Sequence, residues 1–469
     1  MTDLQFASAT ELARMVRERQ LSPVELLEHS LSVIERLNPK LNAFIQMDPE
    51  RALAEARSQE ERLARGEDIG RLAGLPFGVK ELENALGFRS TGASRAFADR
   101  WAEWDEVHIQ RLRAAGGIVL GKTNSPEFGY TAFTTNELFG TTRNPWNLER
   151  TPGGSSGGSA AAIASGMVPL ATASDGGGSV RIPACFVGAY GLKPTFGLVP
   201  MGPSRLLGWT DTGHYGALTR RVADAALYLD VVAGYHPADP NSKPRPPYSF
   251  VERLNEPLPK LRIAFNRSLG CPHVQHDVMR EVEAAVKAFS DMGHEVEENY
   301  DSLEPMAEHW MIMGRFQSLA SMYDEVTNHI DLFSPGYARG FQYVKEVSAL
   351  RFREAYVART RLNEWLGRLF EKYDLLLTPT MPLEAFAAEG PIPTEVEGEA
   401  LGGWIITFTA PFNFSGHPAA TVRAGFTDSG LPAGLQIVAE RHRDDLVLQA
   451  SYAYESARPW NDRWPDMTL

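Results

Sequence analysis

The sequence predicts an α/β fold, a single large domain in which a wide, twisted mixed sheet is flanked by helices on both faces. Three observations point there. Helical and strand-like segments alternate along much of the chain. The length of 469 residues is more than one ordinary core holds, yet large α/β enzymes carry such a chain on one wide sheet. Finally, the Pro-rich stretch at 236–260 is the best place for a linker, but nothing on either side marks two independent cores, and no internal repeat is present.

The chain divides into a helical N-terminal segment of about 1–66, a core of about 67–235, and a remainder of about 236–469. Thr10 is the expected cap of a first helix through Leu12, Val16 and Arg19. Ser22-Pro23 opens a second, with Leu26, Leu27, Leu31, Ile34 and Leu37 at helical spacing. A charged third helix runs from about Pro49 to Arg65. Leu75–Leu82 is short, apolar and bounded by Gly and Pro, the signature of a strand. A helix over Asp105–Ala115 leads into a strand at Gly117–Gly121. Residues 151–197 are rich in Gly, Ser, Ala and Pro, but apolar runs interrupt them, so they predict closely packed helix, strand and loops rather than a linker. Farther on, helices are expected at Val222–Val232, Val278–Met292, 341–372 and Asp444–Glu455. Strands are expected at Leu261–Phe265, from His294, at Asp374–Thr378 and at Leu431–Ala439. The acidic stretch 384–403 predicts a surface loop.

Composition narrows the function. A hydrophobic fraction of 43% and a charged fraction of 22% describe an ordinary globular protein. The net charge of −13 favours solubility and disfavours a broad nucleic-acid grip, which needs clustered Lys and Arg. No run of about 20 apolar residues is present to span a membrane, and the N-terminus lacks the pattern of a signal peptide. Two cysteines, Cys185 and Cys271, give no disulfide framework and suit a reducing, cytoplasmic setting. His273 and His276 stand near Cys271, but the spacing does not make a zinc site and they are expected to be loop residues. Neither metal nor cofactor is expected.

The chemistry-bearing features are two serine clusters set among glycines: Thr151-Pro-Gly-Gly-Ser-Ser-Gly-Gly-Ser159 and Ser174-Asp-Gly-Gly-Gly-Ser-Val-Arg181. Glycine lets backbone N–H groups approach a ligand closely, as an oxyanion hole requires. A serine hydroxyl needs a base. The histidines nearest in sequence are His108 and His214, and neither lies beside a cluster. Lys80 follows Leu75-Pro-Phe-Gly-Val, an apolar setting that would lower its pKa and leave part of it neutral. Gly153–Gly157 matches G-x-S-x-G, but no strand precedes it. The phosphate-loop pattern and S-x-x-K are absent. On these residues alone, tight turns and close helix packing explain the Gly/Ser tracts as well as catalysis does.

At these positions the sequence resembles the amidase signature family. The match runs through Gly74–Lys80, Gly121–Asn124, Leu138–Trp146, Gly153–Gly158, Ser174–Pro183, Gly191–Thr195, Leu377–Thr380, Gly416–Pro418 and Gly430–Ile437, covering roughly residues 8–460. The resemblance implies an amidase that works through a covalent acyl-enzyme. Ser179 is the implied nucleophile and Ser155, after a cis peptide bond from Gly154, the proton relay. Lys80 is the implied base. The N–H groups of Gly176, Gly177, Gly178 and Ser179 form the implied oxyanion hole, and Gly129, Tyr130 and Thr131 wall the substrate pocket. Asp175 and Arg181 brace the loop. Gly176 stands where family members often have Thr; this form is similar to a subgroup that includes hydrolases of cyclic nylon oligomers. Cys185 is expected as buried filler and His417 as structural.

The expected partner is a small-molecule amide, with no nucleic acid or membrane, and a homodimer as the assembly to test. Tyr130, Phe133 and Trp209 are expected near the site and favour an uncharged amide with an apolar acyl part. The sequence singles out no arginine for a substrate carboxylate, so glutamine and asparagine are expected to be poor substrates. Three alternatives remain: a glutamine-hydrolysing subunit of a tRNA-dependent amidotransferase, a non-catalytic binding protein that kept the fold, and an esterase with a histidine triad.

Overall fold

The structure, a computed structural model, describes residues 4–203, 211–401 and 405–467. Eleven strands form one mixed sheet. In chain order they are β1 (Phe44–Met47), β2 (Pro76–Lys80), β3 (Ile118–Thr123), β4 (Leu170–Asp175), β5 (Tyr190–Lys193), β6 (His214–Thr219), β7 (Arg262–Phe265), β8 (Glu295–Glu298), β9 (Leu375–Pro379), β10 (Ala419–Phe426) and β11 (Pro432–Ala439). Across the sheet they lie β1-β3-β2-β4-β6-β5-β10-β11-β9-β7-β8. Pairing is parallel for β3-β2-β4 and for β9-β7-β8, and antiparallel through the centre.

Side-chain alternation along the strands explains the layering. Phe77 and Val79, Ile263 and Phe265, and Leu375 and Leu377 face one core, shared with the helices Val222–Val232, His276–Asp291 and Asp444–Ala457. Their in-between neighbours face the other side. Ala171 and Ala173 meet the helices Pro23–Leu41 and Gly157–Ala164, while Ala264 and Leu376 meet the helix Ala349–Phe370. Helices therefore cover both faces, as expected. Phe250 and Leu254 belong to the first of these cores, so the Pro-rich stretch 236–260 is packed onto the body.

Several expectations are corrected. The first helix, Ala9–Arg17, is capped by Ser8; Thr10 instead donates its backbone N–H and hydroxyl to Asp224. The N-terminal segment is not all helical, because β1 pairs with β3. The tract 341–372 is two helices, Pro335–Lys345 and Ala349–Phe370, separated where Ser348 caps the second. The stretch 384–403 holds a short hairpin, Glu395–Val396 with Glu399–Ala400. Strands β6 and β10 and the helix Ala307–Asn328 were not anticipated. Trp209 lies outside the described residues.

The second helix illustrates how local sequence sets an element. Ser22 and Glu25 form a reciprocal capping box with Pro23 at the first helical position. Ser22→Ala should destabilise the fold by about 1 kcal/mol and Ser22→Gly by only a few tenths, read as a larger fall in the urea midpoint for the alanine variant.

Candidate active site

Parallel pairing of β2 with β4, Phe77 opposite Leu170 and Gly78 opposite Ala171, brings the carboxyl ends of both strands to one edge. Open α/β sheets bind ligands at such edges. Lys80 is the last residue of β2 and Ser174-Asp175 end β4. Lys80 is fully buried. Its Nζ lies 2.8 Å from Ser155 Oγ, 3.0 Å from Ser174 Oγ and 3.1 Å from the Ser174 carbonyl. Burial pushes the Lys80 ammonium down to about 8, against the opposing pull of Glu83 and Asp175.

Ser155 follows a cis peptide bond at Gly154–Ser155, as the resemblance implied. The two serine loops are tied where the Ser156 N–H donates to the Ser179 carbonyl at 3.3 Å. Only glycine fits at Gly154: a Cβ there would lie 2.7 Å from the Thr131 carbonyl oxygen and the Phe133 nitrogen. Gly129 has φ +73, and a Cβ on it would crowd the Ser155 hydroxyl at 3.1 Å.

The 175–181 loop is held from behind. Asp175 accepts from Arg181 Nε and Nη2, both at 3.0 Å, from Asn413 Nδ2 at 2.8 Å, and from the N–H groups of Gly178 and Val180 at 2.6 and 3.1 Å. Burial would raise the Asp175 carboxyl, but the Arg181 guanidinium outweighs it and holds the group well below the usual carboxylate range. Three successive carbonyls are also pinned: Asp175 by Asn413 at 2.7 Å, Gly176 by Trp310 Nε1 at 2.6 Å and Gly177 by Thr409 Oγ1 at 2.7 Å. Because each peptide unit is planar, the first two bonds fix the planes carrying the Gly176 and Gly177 N–H groups. The Gly178 N–H differs from expectation, since it is committed to Asp175.

A cavity of about 600 Å³ opens at this edge. Ser155, Ser174, Gly176, Gly177 and Ser179 line it, together with Gly129, Tyr130 and Thr131. The Thr131 hydroxyl is turned onto the Phe133 carbonyl at 2.7 Å. The Tyr130 ring carries Arg315 on its face, 4.0 Å from the centroid. Trp310, Met311, Ile392, Ile405 and Ile406 are among the apolar residues of the wall. His214 also reaches the cavity, but burial and Lys193 push its pKa well below the ordinary value, and its Nδ1 is 2.9 Å from the Thr212 carbonyl. Cys185 is buried, and burial pushes its thiol up to about 12. His417 is buried, stacked on Phe370 and bonded to Ser415.

Sequence reasoning missed Ser174 as a partner of Lys80, and Trp310, Thr409, Asn413 and Gln436 as supports. A signal existed for two of them. Asn413 stands between Phe412 and Phe414, and Gln436 between Leu435 and Ile437; a polar residue inside an apolar run is buried and must be hydrogen-bonded. One further cluster lies among residues that do not line the cavity. His273, His276 and Glu397 bring three potential ligand atoms within 4.8 Å of one another. His276 begins a helix rather than lying in a loop.

A family model described as Amidase matches residues 25–448. An acylamidase of Rhodococcus erythropolis is 38% identical, over 100% of this chain and 98% of its own length. A component of the glutamyl-tRNA(Gln) amidotransferase from a Cyanothece species is 33% identical, over 98% and 100%. Among solved structures, a bacterial aryl acylamidase of the amidase signature family superposes with a TM-score of 0.92 at 33% identity, covering 98% of each chain. A 6-aminohexanoate cyclic dimer hydrolase does so with 0.89 at 30%, covering 99% of each. With model, relatives and folds in agreement over nearly its whole length, the chain belongs to the amidase family, as an amidase-signature enzyme that hydrolyses carbon–nitrogen amide bonds other than peptide bonds.

Proposed function

We propose that this amidase works through an acyl-enzyme on Ser179, with Ser155 as proton relay and Lys80 as terminal base. The observation that carries the reading is the buried contact of Lys80 Nζ with Ser155 Oγ at 2.8 Å. The three oxygens around Nζ match the three donors of the protonated amine; the neutral base keeps two N–H donors and gains one lone pair. In that neutral form the Ser174 carbonyl and hydroxyl keep the two donors, and the lone pair is left to accept from the Ser155 O–H. Ser155 passes a proton to Lys80 and takes one from Ser179, whose Oγ forms a bond to the amide carbon. The N–H groups of Gly176, Gly177 and Ser179 meet the oxyanion. Returned through the relay, the proton leaves with the amine, and water then releases the acid by the same steps.

The wall of Trp310, Met311, Ile392, Ile405 and Ile406 supports a neutral amide with an apolar acyl part as substrate. Arg315 favours a second reading. It lines the cavity, and among the described residues it makes no ion pair with a carboxylate. It would meet the carboxylate of glutamine, the substrate of the amidotransferase alternative. We further propose that the whole chain, 1–469, acts as one cytoplasmic unit on a small molecule, without nucleic acid or membrane, and as a homodimer. The charge of −13 supports the lack of a broad nucleic-acid grip, and among the described residues no helix is long and apolar enough to cross a membrane.

A fluorophosphonate should add one label to the wild type and none to Ser179→Ala by intact mass; full labelling of the variant would reject the nucleophile. Lys80→Ala and Ser155→Ala should each lower kcat by about 10²–10⁴-fold, with the double variant little worse than either. Because only the neutral amine is a base, kcat/KM should rise with pH through about 8 and level off above it; a flat profile from pH 6 to 10 (about two units either side) would count against Lys80. On matched neutral amides and glutamine, the first reading expects higher kcat/KM for the neutral amide, unchanged in Arg315→Ala. The reverse order, lost in Arg315→Ala, would establish the second.

A further inference from the structure

We propose that His273, His276 and Glu397 form a site for a divalent transition-metal ion, zinc in the first instance. The ion would clasp the 395–400 hairpin to the start of the helix His276–Asp291.

The two histidines precede Glu397 by 124 and 121 residues, and the three side chains converge on one point. His273 Nε2 is 3.0 Å from Glu397 Oε2, and His276 Nδ1 is 2.6 Å from the same oxygen. The two imidazole rings stand nearly perpendicular with centroids 5.3 Å apart. All three ligand atoms lie within 4.8 Å of one another, and a tetrahedral ion about 2.0–2.2 Å from each would set them about 3.4 Å apart, a small side-chain adjustment. Two imidazoles and a carboxylate form a borderline N/O set, which suits zinc and disfavours magnesium or calcium. His273 would bind through Nε2 and keep its proton on Nδ1; His276 would bind through Nδ1 and keep its proton on Nε2. Water would fill the fourth position.

A second, independent observation concerns the backbone of Glu397. It is the first of the two residues that turn the hairpin between Val396 and Glu399. Its φ is +54 and that of Gly398 is +81. A turn with both central residues at positive φ favours Asn-Gly, Asp-Gly or Gly-Gly. Glutamate has no backbone reason to be there. What it contributes is a carboxylate aimed at both imidazoles and at the His276 N–H, 3.2 Å away. Cys271 is not a fourth ligand here, because its Sγ is engaged with the His273 carbonyl at 3.1 Å.

The site is separate from the serine–lysine machinery, so its test does not depend on the amidase reading. Tag-free wild-type protein, stripped with a chelator and titrated with zinc chloride by calorimetry, should take up one equivalent saturably. His273→Ala and Glu397→Gln should each weaken that binding by more than about tenfold. Cobalt(II) added in place of zinc should give the visible absorption of a low-coordinate nitrogen–oxygen site in the wild type and lose it in both variants. Zinc should also raise the melting temperature of the wild type and not of the variants, while chelation leaves kcat unchanged. No saturable uptake by the wild type, or uptake of equal affinity in both variants, would overturn the site. Glu397→Gln keeps the side-chain volume and a hydrogen-bond acceptor, so a folded variant is available for the comparison.

Discussion

The Asp175–Arg181 pair is the constraint on which the site depends. Both residues are fully buried, where an ion pair survives only if every remaining polar atom is satisfied. Here each nitrogen of the guanidinium has a partner. Nε goes to Asp175, Nη1 to the Thr409 carbonyl and Gln436, and Nη2 to Asp175 and Asn413. These contacts join the end of β4, the glycine loop, the helix Arg181–Val187, the segment around 409–413 and strand β11. Taking one partner from such a pair costs about 3–5 kcal/mol, because the other is left charged and buried. The loop that carries Ser179 is therefore anchored to the centre of the sheet, in addition to its own contacts with Trp310, Thr409 and Ser156.

Charge placement then divides the labour between two buried cations. Arg181 is matched by the Asp175 carboxylate. Among the described residues no carboxylate is in hydrogen-bonding contact with Lys80; its Nζ meets two serine hydroxyls and one carbonyl, and burial dominates its titration. At similar depth the fold thus supplies different neighbours, a carboxylate to Arg181 and only hydroxyls and a carbonyl to Lys80, and without a close carboxylate burial lowers the pKa of Lys80.

Much of this was legible in the sequence wherever the information is local. The Ser22-Pro23 start, the strand ending at Lys80 and the amphipathic helix after His276 follow from spacing and caps. The Gly/Ser tract was recognisable as packed structure because apolar runs punctuate it. Illegible features were those decided at long range. Strand β1 has only four residues and exists because β3 offers it an edge. Trp310 supports Gly176 from 134 residues away, in a helix whose composition gives no hint of that contact. The resemblance implies an oxyanion-hole role for the Gly178 N–H, but only the fold shows that the Asp175 side chain folds back to claim it.

The close approach of backbone at the glycines has an evolutionary consequence. A methyl group at Gly158 would sit 2.2 Å from the Asn124 nitrogen, and at Gly177 2.3 Å from the Trp310 ring. At such positions almost every codon change is a collision, so the catalytic loops are closed to gradual tinkering. The wall formed by Met311, Ile392, Ile405 and Ile406 carries no such restriction, since side chains facing a void can grow or shrink one at a time. Descendants of this gene can therefore explore new acyl groups by drift along two wall segments, while the bond-breaking centre is inherited as an indivisible block.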